Sequence, residues 1–151
     1  MNTMNTMNTI NTMTFIEFEA TKGGSRIRSG KYIVASKLEN RQHKIYRVGI
    51  SRDVAKIIRA KDLTHYRIGL NEFTNEVFLI FCKNALGRIV FESAKKHGDG
   101  TRYLAIHSKA FCDWLGKHYT LGAEYKRVYF MLSDDMSNSN DYATFKIESK
   151  Q

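Results

Sequence analysis

IYRVGISRDVAKIIRAKDLTHYRIGLNEFTNEVFLIF, residues 45–81, is the stretch on which the fold turns. Ile45 to Ile50 reads as a strand, and Ser51 follows as a helix N-cap with Asp53 placed for the positive helix end. Val54, Ile57 and Ile58 then fall at i, i+3 and i+4, one apolar face of a short helix, with Arg52, Lys56 and Arg59 on the other side. Tyr66–Leu70 and Val77–Cys82 are strands joined by the polar turn NEFTNE. One strand, one short helix and one hairpin cannot close a core unaided.

A second unit follows further along. Tyr103–Ile106 reads as a strand, Ser108 as an N-cap, and Phe111, Trp114 and Leu115 as the apolar face of a second short helix. Val128–Leu132 and Tyr142–Ile147 are strands around the loop SDDMSNSND. A spacing of 57 takes Tyr46 to Tyr103, Ser51 to Ser108, Arg52 to Lys109, Val54 to Phe111, Ile57 to Trp114 and Ile58 to Leu115. Fixed-period similarity of this kind implies an internal duplication, with units at about 45–82 and 102–147 forming a pseudo-twofold body.

Outside these units, Phe15–Glu19 alternates apolar and acidic residues and suggests a half-buried strand. The basic loop TKGGSRIRSGK leads to a strand at Tyr32–Val34. Arg88–Phe91 is a further strand, followed by the loop AKKHGDGTR. Residues 1–13, MNTMNTMNTINTM, are low-complexity and polar, and are expected to be a disordered tail with no signal-peptide character. Residues 14–151 are then expected to form a single α+β domain of mostly short antiparallel strands and two short helices.

With 151 residues, 42% of them hydrophobic, the chain has material for a packed core. Two cysteines make no disulfide framework, and no apolar run is long enough to span a bilayer. A cytoplasmic protein is the expectation, and the Asn, Ile, Lys and Tyr bias with the terminal repeat suggests phage origin. The formal charge is +9, carried by residues 22–67, where thirteen Lys and Arg face three acids. The remainder is nearly neutral. Such a block implies either a solvated face or a phosphate-contacting surface. On the second reading Arg26, Arg28, Lys31, Lys44, Arg47, Arg52, Lys56 and Arg59 are the candidate contacts, and Tyr32, Tyr46 and Tyr66 lie among them, placed either for base stacking or as half-buried sheet residues.

The segment 45–81, and more faintly RYLAIHSKAFCDWLGKHYTLGAEYKRVYFML at 102–132, resembles the AbrB-like swapped-hairpin DNA-binding regulators. The two segments cover under half of the chain. The resemblance implies DNA binding by basic residues of the strand and hairpin region, which by position are Arg47, Arg52, Arg102 and Lys109. Ser51 and Ser108 stand where that family has proline, and its Gly-Asp turn after the helix survives only as Asp62, with no counterpart in the second unit.

The leading expectation is therefore a non-enzymatic nucleic-acid-binding protein, DNA more than RNA, with no cofactor or metal. The alternative is a protein-binding module or inhibitor that docks its basic face on an acidic partner. A third reading, a metal nuclease, would use Asp113, Glu124 and Lys126, since Glu124-Tyr125-Lys126 has E-x-K spacing, although Asp113 falls in a helix. The five histidines and two cysteines lack the spacing of a zinc site.

Overall fold

The computed structural model describes residues 30–96 and 101–150. The expected tail, the strand at Phe15–Glu19, Arg26 and Arg28, most of the loop TKGGSRIRSGK and the centre of AKKHGDGTR lie outside the described residues. The elements in chain order are β1 Tyr32–Glu39, β2 Lys44–Ile50, α1 Arg52–Ala60, β3 His65–Asn71, β4 Glu76–Cys82, β5 Gly87–Arg88, β6 Val90–Lys96, β7 Arg102–Ile106, α2 Lys109–His118, β8 Tyr125–Leu132 and β9 Tyr142–Lys150. The expected class holds: mostly antiparallel strands with two short helices.

All strands join one nine-stranded sheet in the order β5-β3-β4-β9-β8-β1-β2-β7-β6. Its two edge strands, β5 and β6, are separated only by Ile89, whose N–H donates to the Thr64 carbonyl at 2.9 Å ahead of β3. The sheet therefore nearly closes on itself as a barrel, which goes beyond the sequence reading. Alternate residues of the strands fill the interior: Ile33, Val48, Leu79, Phe81, Leu104, Ile106, Phe130 and Phe145 are fully buried. Phe81 and Phe145, on β4 and β9, meet edge-on at 5.9 Å.

Several elements run further than their apolar cores suggest. β1 continues through Ser36-Lys37-Leu38-Glu39 because β2 pairs with it on one side and β8 on the other. Opposite Ser36, β8 carries a bulge: Arg127 takes φ 55°, and its N–H donates to Ser36 Oγ at 3.0 Å. Ala94 to Lys96 belong to β6, not to a loop, since Lys96 pairs with Arg102 across the β6–β7 hairpin. The strand expected at Arg88–Phe91 is divided at Ile89, with β5 bonded to β3 and β6 to β7.

Both helices begin as their sequences require. Ser51 Oγ accepts the Val54 N–H at 3.4 Å and the Tyr32 N–H at 3.2 Å, tying the α1 cap to β1. Ser108 Oγ accepts the Phe111 N–H at 3.1 Å. α1 buries Val54, Ala55 and Ile58, while Ile57 is half-buried. α2 buries Phe111, Cys112, Leu115 and Gly116.

The helices also end alike in backbone, although no Gly-Asp sequence follows the second. Asp62 at φ 57° and Thr120 at φ 56° both take the left-handed conformation. The next residue then bonds back into the helix, Leu63 N–H to Ile58 O at 3.0 Å and Leu121 N–H to Gly116 O at 2.8 Å. The N-cap serines lie 57 residues apart and these terminal turns 58 apart. Tyr46 faces the Val48 side of β2, which lies opposite Ile106, so Tyr103 falls on the other face.

Candidate nucleic-acid interface

The basic residues divide by what they touch. Arg47 is on β2 and lies flat across Gly49, where an added Cβ would sit 2.7 Å from its guanidinium. That path takes it to Glu92 on β6 in a two-pronged pair, Nε to Oε2 at 2.9 Å and Nη2 to Oε1 at 2.7 Å. His107 Nε2 lies 2.8 Å from the same carboxylate. Hydrogen bonding from Arg47, against the opposing effect of burial, lowers the Glu92 pKa to about 2.

This carboxylate gives a pH signature. The folded pKa lies below the ordinary carboxylate value, so the stabilisation is complete above about pH 5 and is lost as pH falls toward 2. Allowing for solvent screening, it amounts to about 1–2 kcal/mol. Urea midpoints of the wild type and Glu92→Gln, measured from pH 7 to pH 2.5, are expected to converge in the acid range; a constant gap would contradict the pair.

Lys31 pairs with Asp134 at 3.1 Å. Lys109 pairs with Asp113 at 3.0 Å and lies 5.7 Å over the Tyr46 ring. Asp113 also meets the buried Lys37 at 2.5 Å, and these two lysines hold its carboxyl below the usual range. Lys44, on β2, is exposed with no ion-pair partner among the described residues.

The remaining candidates gather at one end of the barrel. Arg52 and Lys56 are exposed on α1, and neither has a carboxylate partner among the described residues. Arg59, on the last turn of α1, donates to the Arg102 carbonyl. Arg102 opens β7 and spends its guanidinium on the carbonyls of Glu92, at 3.1 Å, and Phe91. Its charge is thus oriented but not neutralised. The nearest acid on the helix, Asp53, accepts the Gly30 N–H at 3.0 Å. Four cations from two elements thus share a surface.

The tyrosines within the basic block are half-buried sheet residues. Tyr32 packs on Tyr129 at 5.6 Å, and Tyr66 on Phe111 at 5.5 Å. The nuclease set is dispersed in its bonding: Asp113 is held by two lysines, and Glu124 accepts the Glu39 N–H at 2.9 Å. Cys82 and Cys112 are free and buried, and burial pushes the Cys112 thiol up. Among the described residues no group of His, Cys, Asp and Glu is placed to hold a metal, and no helix is long and apolar enough to cross a membrane.

Fold and surface together define an antiparallel, nearly closed sheet with a basic helix face at one end. No protein family, curated protein or solved structure matches the chain.

Proposed function

We propose that this protein binds nucleic acid, DNA in preference to RNA, and catalyses no reaction. The observation that carries the reading is the α1 face, where Arg52 and Lys56 stand exposed, without carboxylate partners among the described residues, beside Arg59 and Arg102. Phosphate contacts of this kind release counterions, so affinity falls with salt. The preference for DNA rests on the resemblance to AbrB-like proteins. A duplicated scaffold accords with it: exchanging β2 with β7, β3 with β8, β4 with β9, and β1 with β5 and β6 returns the same strand order around the sheet.

The test is titration of duplex and single-stranded DNA and RNA oligonucleotides over a salt series, read by fluorescence anisotropy. Arg52→Ala/Lys56→Ala is expected to lower the slope of log K against log salt by roughly 2, about 0.9 per lost phosphate contact on duplex. Negligible binding at low salt overturns the proposal.

A protein partner is the second reading, favoured by the full exposure of Phe73 at the β3–β4 turn and Leu86 before β5. Complexes that survive nuclease treatment would distinguish it.

A further inference from the structure

The barrel has one incomplete seam. β1 pairs with β8 from Tyr32 to Lys37. Among the described residues, β5 pairs with β3 only at His65 and Tyr66, and no other strand covers the β3 edge from Arg67 to Asn71. Behind that edge lies a cleft of about 360 Å³ lined by Tyr66, Ile68 and Leu70 of β3 and by Ala110, Phe111 and Trp114 of α2. Apolar side chains below an open backbone edge are the requirements for adding one more strand.

We propose that the occupant is the chain's own segment Thr14–Glu19, laid along β3 as an additional strand. Its sequence, Thr-Phe-Ile-Glu-Phe-Glu, matches the site by parity. With Ile16 and Phe18 turned into the cleft beside Ile68 and Leu70, Glu17 and Glu19 fall on the opposite face. That face carries Arg67, and also Arg88, which sits directly across from His65. Both arginines are exposed and lack a carboxylate partner among the described residues. The ten residues 20–29 connect the segment to Gly30 at the start of the described chain. Extended, they reach ~33 Å, enough to cross a domain of this size, whose radius of gyration is about 14 Å.

Trp114 is the only tryptophan and lines the cleft, so the full-length protein reports on its own seam. Ile16→Asp/Phe18→Asp is expected to shift Trp114 emission to the red and raise its quenching by acrylamide. The amides of 67–71 that are not bonded to β4 should then exchange about tenfold or more faster. Glu17→Arg/Glu19→Arg should act in the same direction, and adding Arg67→Glu/Arg88→Glu should restore protection. Unchanged exchange and emission in Ile16→Asp/Phe18→Asp overturns the proposal. So does protection that appears only with dimer formation in sedimentation, because the strand would then come from a second copy.

Discussion

Lys61→Ala is expected to cost about 1.5–3 kcal/mol of folding stability, the range for hydrogen bonds to a charged group that is partly withdrawn from water. Lys61 is the C-cap residue of α1, and its side chain is partly buried. It donates to Asp135 Oδ2 at 2.6 Å and to the carbonyls of Tyr142 at 2.7 Å and Ser139 at 2.8 Å. The Asp135 carboxylate also accepts the N–H groups of Ser137 and Thr144, both at 2.9 Å. One side chain thus fastens the β8–β9 loop to the end of α1. Its removal leaves a partly buried carboxylate without this counter-charge. Burial alone would raise the Asp135 pKa, but Lys61 and the two backbone donors hold it below the ordinary value. The stability it contributes is therefore present above the ordinary carboxylate range and fades as pH falls through it. Equilibrium urea unfolding at pH 7 measures the loss. A change under 1 kcal/mol would show that water replaces the ammonium.

Lys61 also shows what a sequence conceals. It belongs to the basic block of residues 22–67, as do Lys37, Arg47, Arg52 and Lys56, and nothing local separates them. Their partners come from far along the chain: Asp135 for Lys61, Glu92 for Arg47, Asp113 for Lys37. Only long-range pairing decides which cations are spent inside and which remain available. Strands and caps were legible because their signals are local, such as the Ser51 and Ser108 hydroxyls or the unbroken apolar run Val77–Phe81. The near closure of the sheet was not, since it rests on two pairs between β3 and β5 and one bond from Ile89. Likewise Thr120 gives no sequence signal for a left-handed turn; the Leu121 bond to Gly116 holds it there.

Phe145→Ala is expected to destabilise the protein by about 3–5 kcal/mol, by transfer and cavity terms together. Phe145 is fully buried on β9, directly opposite Leu79 on β4, where the β3–β4 hairpin pairs with β9. No neighbouring loop can collapse into the space, because both strands are bonded on either side. A double-mutant cycle with Phe81→Ala should give a coupling of about 0.5–1.5 kcal/mol for the edge-on ring pair. The same variant separates charge from scaffold. At a temperature where Phe145→Ala remains folded, its nucleic-acid salt slope should equal that of the wild type, since Arg52, Lys56, Arg59 and Arg102 are untouched. The Arg52→Ala/Lys56→Ala variant should do the reverse, with its urea midpoint unchanged and its slope reduced, because surface substitutions away from internal partners alter stability by no more than ~0.5 kcal/mol. A salt slope that fell with Phe145→Ala as well would mean that binding depends on the barrel interior and not on the α1 face.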